Sequence, residues 1–176
     1  MKQFDGNIFL IGFMGSGKST ISRFLQNAYD RNVLEMDEEI EAREQMKISD
    51  IFATQGEEYF RKLETELLLE LEGKTNLVVS CGGGAPLRAC NVEAMKKSGK
   101  VVFLTATPET VLERVKNNHD RPLLENNKNV DFIASMMEQR REKYEAAADI
   151  QVPTDGRSAK EIGAEIMLRL MEEPRI

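Results

Sequence analysis

The chain is poor in cysteine, holds a single histidine, has no surplus of basic charge and contains no long apolar run. Each shortage removes a class of protein. Cys81 and Cys90 are its two cysteines in 176 residues, too few for a disulfide framework, and the reducing cytoplasm is the expected setting. Lys and Arg number 24 against 30 Asp and Glu, a net charge of −6 with a pI near 5.1. That balance argues against a nucleic-acid groove. It also means that any polyanionic ligand needs locally concentrated cations, so individual arginines become informative. The first apolar run, Ile8 to Ile11, follows no signal-peptide layout and is too short to cross a bilayer, so no membrane partner is expected. His119, the lone histidine, lies in a polar stretch and reads as an exposed loop residue rather than a catalytic one. No repeat, heptad array, low-complexity tract or long linker is visible. One domain over residues 1–176, acting as a monomer, is the expectation.

What is present is an alternation of short apolar runs with longer helical patterns, the signature of an α/β fold on a parallel sheet. Candidate strands are Asn7–Ile11, Asn32–Met36, Asn76–Ser80, Lys100–Thr105 and Asp149–Val152. Leu77-Val-Val and Val101-Val-Phe-Leu104 suit strands buried on both faces. Thr54-Gln-Gly-Glu57 and Ser158-Ala-Lys-Glu161 are capping-box patterns, and Thr107-Pro108 sets a cap before a proline at the first helical position. Phe60, Leu63, Leu67 and Leu71 recur at helical spacing, as do Ile162, Ile166 and Leu170, and both sets should face the core. Asp37-Glu-Glu-Ile-Glu41 begins a helix, with Glu38, Glu39 and Glu41 read as its solvated face. The polar, Asn-rich stretch around residues 116–128 separates two helical patterns and carries Arg121 at its centre, which favours a lid over a disordered excursion. Met136 and Met137 read as packing residues.

Gly12-Phe-Met-Gly15-Ser16-Gly17-Lys18-Ser19-Thr20 is the most informative segment. It follows the first strand and opens a helix, so it satisfies G-x-x-x-x-G-K-[ST] in the context that pattern requires. Glycines let successive N–H groups turn toward phosphate oxygens, and the helix adds the positive end of its dipole. Lys18 can reach β- and γ-phosphates and the Ser19 hydroxyl can ligate Mg²⁺. Ligands of parallel sheets collect past the carboxyl ends of strands. The second strand ends at Glu35-Met36-Asp37, where alternation points Glu35 and Asp37 to the same side. The third ends at Ser80-Cys81-Gly82-Gly83-Gly84, glycines that either allow close ligand approach or make a tight turn. Nothing near Cys81 suggests a lowered thiol pKa.

These elements, with Phe60-Arg61 in Gly56-Glu-Glu-Tyr-Phe-Arg61-Lys-Leu-Glu64, Arg121-Pro-Leu-Leu, and Arg140 four residues before Tyr144, together resemble shikimate kinase, in order over nearly the whole chain. The resemblance implies a P-loop NTPase fold, nucleoside-monophosphate-kinase-like, with a five-stranded parallel sheet flanked by helices and a mobile lid. It implies ATP and Mg²⁺ as cofactors and transfer of the γ-phosphoryl group to the 3-hydroxyl of shikimate, bound by a region near residues 37–64. Gly15, Ser16, Gly17, Lys18, Ser19 and Thr20 would hold the phosphates, with Arg114 and Arg157 on the adenine side. An exposed loop arginine remains the alternative for Arg157. Arg61 and Arg140 would grip the substrate carboxylate, with surface ion pairs as the alternative. Glu64, three residues beyond Arg61, could hold that guanidinium. Phe52 and Phe60 would line an apolar wall, and Gly82 and Gly83 would meet the substrate. Asp37 would orient the attacking hydroxyl, Arg121 would stabilise the transferring group, and Ser80 would lie near metal-bound water. Glu35 departs from the aspartate usual in the family at the position that reaches the metal through water, which leaves its role open.

Rival readings are a kinase for gluconate or a nucleoside monophosphate, a nucleotide-driven switch, and a nucleotide binder without chemistry. The switch lacks its base-reading motif, since Asn127-Lys-Asn-Val130 has no aspartate at the required place. The inert binder is disfavoured by the presence of Lys18, Asp37 and Arg121.

Overall fold

The computed structural model describes residues 4–116 and 129–172. Most of the expected lid, including His119 and Arg121, lies outside them. Five strands form one all-parallel sheet: β1 (Asn7–Ile11), β2 (Asn32–Glu35), β3 (Leu77–Ser80), β4 (Gly99–Thr105) and β5 (Ile150–Pro153), in the order β2-β3-β1-β4-β5. Parallel neighbours need crossover connections, and helices supply them. These are α1 (Lys18–Tyr29), α2 (Met36–Glu44), α3 (Ile48–Gln55), α4 (Glu57–Glu70), α5 (Ala89–Ser98), α6 (Pro108–Val115), α7 (Val130–Ala147) and α8 (Ala159–Glu172), with a 3-10 turn at Ala85–Leu87.

The central strands are buried on both faces, as their continuous apolar runs require. Ile8 and Leu10 of β1, Val78 of β3, and Val102 and Leu104 of β4 pack against Ile21 and Leu25 of α1 and Ile162, Ile166 and Leu170 of α8. Their neighbours Phe9, Ile11, Val79, Val101 and Phe103 point the other way, into a core shared with α2 through α7. Phe60, Leu67 and Leu71 are buried there, and Leu63 packs at its margin. Met136 and Met137 pack at the edge of that core as well. Among the described residues no helix is long and apolar enough to cross a membrane.

Local signals were honoured unevenly. Ser158 and Glu161 form the reciprocal capping box, with Ser158 N–H donating to Glu161 Oε2 at 2.8 Å and Glu161 N–H donating to Ser158 Oγ at 3.2 Å. Thr107 Oγ1 accepts the Thr110 N–H at 3.3 Å. Thr54 is no cap: it lies inside α3, its hydroxyl donates back to the Asp50 carbonyl at 2.7 Å, and α4 starts from Gly56 instead. Gly56 takes a positive φ of 87°, which glycine reaches without strain, and the chain turns there between two helices. Glu41 also departs from the solvated-face reading. It accepts the Ile48 N–H at 3.0 Å and pairs with Lys47 at 3.2 Å, so its carboxylate caps α3. Glu39 does sit at the surface, paired with Arg43 at 2.7 Å.

The order of strands fixes where a ligand goes. β1 lies between β3 and β4, so the chain leaves its carboxyl end at the point where the winding direction reverses. The loops after β1, β2 and β3 therefore open into one crevice.

Candidate active site

The loop from Gly12 to Ser19 joins β1 to α1. Gly15 (φ 79°) and Gly17 (φ 99°) occupy the left-handed region that their motif positions demand. Gly17 precedes α1 with no side-chain cap, and the first turn of α1 carries no acidic residue. That leaves a helix N-terminus open toward the crevice, the arrangement that favours phosphate. Lys18 folds along the loop, its Nζ donating to the carbonyls of Gly12 (2.7 Å) and Phe13 (3.2 Å). A cavity of about 350 Å³ lies beside it, lined by Gly15, Gly17, Lys18, Ser19 and Thr20 from the loop and α1. Glu35, Asp37 and Glu38 close it after β2, Ser80 to Gly83 close it after β3, and Arg114 of α6 closes the far side. Ser16 is buried within the loop.

Asp37 is not a strand-end residue. β2 stops at Glu35 because Met36 turns into the core as the first residue of α2, so Asp37 occupies the first turn of that helix and is exposed to the cavity. Its carboxylate stands at the favourable end of the helix dipole. Glu35 accepts the Ser19 hydroxyl on one oxygen at 2.9 Å and the Ser22 hydroxyl on the other at 2.8 Å.

The three glycines after β3 have no positive φ; Gly82 and Gly84 are needed for room. A Cβ on Gly82 would stand 2.7 Å from Glu64 Oε1 and 3.0 Å from Asp37 Oδ1. A Cβ on Gly84 would overlap the Arg61 guanidinium, whereas one on Gly83 would meet Arg140 Nη1 at 3.4 Å, an ordinary contact. One turn thus gathers Asp37 from α2, Arg61 and Glu64 from α4 and Arg140 from α7. Gly82 and Gly83 of this turn also line the cavity beside Lys18.

Each cation is held in place. Arg61 Nη1 pairs with Glu64 at 2.7 Å and Nη2 with Glu57 at 3.2 Å, while its guanidinium lies 5.3 Å from the Phe60 ring centre. Glu64 is fully buried, and its second oxygen has no hydrogen-bond partner. Burial, helped by Asp37 and opposed by Arg61, lifts its carboxyl to about 7. Arg140 lies 5.7 Å from the Phe13 ring centre and 3.5 Å from the Tyr144 hydroxyl. That hydroxyl donates to the Gly83 carbonyl at 2.5 Å, tying α7 to the glycine turn. Phe52 and Phe60 pack ring to ring at 5.1 Å between α3 and α4, outside the cavity lining. Cys81 lines the cavity but is almost wholly buried, and burial pushes its thiol well above the usual range.

Arg114 reaches the phosphate loop, donating to the Gly15 carbonyl at 3.0 Å and to Thr154 Oγ1 at 3.1 Å. Arg157 is not among the cavity-lining residues. It is anchored by Glu165 at 2.6 Å and the Pro153 carbonyl at 2.9 Å. Ser22, Glu38, Tyr144 and Thr154 were not singled out by sequence as site residues. The only sequence signal for Ser22 was its position one turn beyond Ser19, on the same helix face.

The sheet order, the phosphate loop on β1 and the open start of α1 define a P-loop NTPase of the nucleoside-monophosphate-kinase type. The shikimate kinase family model matches residues 14–171. A shikimate kinase of Persephonella marina is 44% identical over 164 residues, covering 93% of this chain and 98% of that protein. The solved shikimate kinase of Acinetobacter baumannii, in complex with shikimate, superposes with a TM-score of 0.89 at 34% identity, covering 97% of this chain and 96% of the other. A gluconokinase from Sinorhizobium meliloti shares the fold at a TM-score of 0.60 and 21% identity, covering 97% and 94%. The chain belongs to the shikimate kinase family.

Proposed function

We propose that the chain transfers the γ-phosphoryl group of ATP to the 3-hydroxyl of shikimate. The observation that carries this reading is the glycine turn, which collects two arginines and a carboxylate within reach of the phosphate loop. A small ring acid needs that polarity: cationic forks at its carboxylate, an acceptor at its hydroxyls, and a phosphate site beyond them. Arg61 and Arg140 bind the carboxylate, each pre-oriented by an aromatic ring and a fixed partner. Asp37, across the turn, accepts the attacking hydroxyl and aligns it with the phosphate. In a loose phosphoryl-transfer transition state, alignment and charge neutralisation supply most of the acceleration. Lys18 swings from its loop carbonyls onto the β- and γ-oxygens, and Arg121 takes the transferring group as the resemblance implies.

The donor set also fits Mg²⁺. Among the described residues no cluster of three or more His, Cys, Asp or Glu could cage a metal. A cation here would instead be held by the Ser19 hydroxyl, with Glu35 and Ser80 beside it and the remaining ligands from phosphate and water. When bound, Mg²⁺ neutralises charge on the phosphate oxygens. We also assign the enzyme to the cytoplasm, on its cysteine usage.

Coupled ADP-release assays with shikimate, gluconate and nucleoside monophosphates test the reading. Turnover with shikimate alone is expected. Turnover that does not depend on shikimate, or that is faster with gluconate, would overturn it.

A further inference from the structure

Glu35 holds two hydroxyls of α1 at once. Oε2 accepts from Ser19 Oγ at 2.9 Å and Oε1 accepts from Ser22 Oγ at 2.8 Å. Ser19 and Glu35 line the phosphate cavity, whereas Ser22 does not and is fully buried. Ser22 Oγ also lies 2.9 Å from the Ser19 carbonyl. A serine hydroxyl has one proton to give, and a carboxylate is the stronger of the two acceptors. With Ser22 holding Oε1, the carboxylate cannot turn about its last bond, and Oε2 stays aimed at Ser19. The Ser19 proton then points at Glu35, so the Ser19 oxygen turns its lone pairs toward the cavity. A hard divalent cation needs that orientation from a hydroxyl ligand.

We infer that Ser22 is a positioning residue for the divalent cation, acting through Glu35 to fix the orientation of the Ser19 hydroxyl. The inference rests on the proposed pairing of Mg²⁺ with the nucleotide at Ser19. The clamp depends on length. Replacing Glu35 by aspartate withdraws the carboxylate by about 1.5 Å, one carbon–carbon bond, and neither hydroxyl distance survives that retreat.

The test is calorimetric titration of ADP into the full chain with 5 mM EDTA and, separately, at graded Mg²⁺ concentrations, for wild type, Ser22→Ala and Glu35→Asp. Mn²⁺ binding to the ADP complex, read by electron paramagnetic resonance, gives a second measure. Expected is a loss of about tenfold in cation affinity in both variants, the lower end for a residue supporting a metal ligand, with ADP affinity in EDTA unchanged. Ser22→Cys keeps the volume of the buried site with a much weaker donor and carries the same expectation, so the test stays decisive if the Ser22→Ala chain folds poorly. Unchanged cation affinity in the Ser22 variants would overturn the inference, whatever Glu35→Asp does, while leaving the Mg²⁺ reading intact. Equal weakening of ADP with and without the cation would also overturn it, since that marks general loosening of α1. No Mg²⁺ effect on ADP binding in wild type would remove the cation reading itself.

Discussion

Glu64 offers a test of the site's electrostatics that requires no substrate. It is fully buried beside Asp37, with Arg61 on one oxygen, and Arg88, Cys81 and Tyr144 also feel its charge. In the folded chain its carboxyl titrates near 7, against about 4.3 for an unfolded glutamate. A group whose folded pKa is raised binds its proton more tightly when folded. Its contribution to stability is therefore complete below about pH 4.3 and is lost as pH rises through about 7. Between pH 5 and pH 8 the loss from this one group is about 2 to 3 kcal/mol. Glu64→Gln keeps the shape and an acceptor for Arg61 but removes the titration. Urea unfolding of both chains at pH 5, 6, 7 and 8 isolates the effect, because other groups titrate equally in each. Relative to the variant, the wild type should lose roughly 1 M in urea midpoint across that range, for a denaturant slope of about 2 kcal/mol per molar. Parallel stability profiles would refute the reasoning and show that Glu64 stays ionised against Arg61 throughout.

Three further outcomes follow from the same geometry. Asp37→Asn should leave ADP affinity within about twofold while lowering kcat by about 100-fold or more, the scale of a positioned proton acceptor; near-normal turnover would remove Asp37 from the mechanism. Gly84→Ala should raise the KM for shikimate by about 10- to 100-fold by displacing Arg61. Gly83→Ala should have a smaller effect, and the reverse ranking would contradict the account of the turn. Ser158→Ala should cost about 1 kcal/mol in thermal or urea unfolding through loss of the α8 cap and leave both KM values unchanged.

The sheet and the phosphate loop were legible because their signals are local. Val101-Val-Phe-Leu104 suits a doubly buried strand, and the glycine spacing around Lys18 encodes one backbone path. Reading stopped where remote contacts decide. Thr54 and Glu57 spell a capping box, yet Ile48 and Ile51 carry the helix past Thr54 and leave Gly56 to make the turn. Glu41 looked like surface charge because its partner, the start of α3, is seven residues away. Asp37 lines the cavity from a helix and not from a strand end: Met36 opens α2 and is buried, so β2 ends at Glu35, one residue short of the expected end. The glycine triplet offered two explanations, ligand approach or turn geometry. Its demand for room is set by Glu64, Asp37 and Arg61 arriving from other elements, which no spacing within Gly82 to Gly84 encodes. Ser22 offered only its place one turn beyond Ser19, because its partner Glu35 arrives from β2, 13 residues away.

On the proposed function, the glycine turn holds shikimate with its carboxylate at the arginines and its hydroxyls toward the phosphate loop. A crystal structure of the full chain with shikimate, ADP and Mg²⁺ tests it most directly. Expected are the ring carboxylate against Arg61 and Arg140 and a ring hydroxyl against Asp37, facing the nucleotide. A ring bound the other way, with its carboxylate toward Lys18, would contradict it.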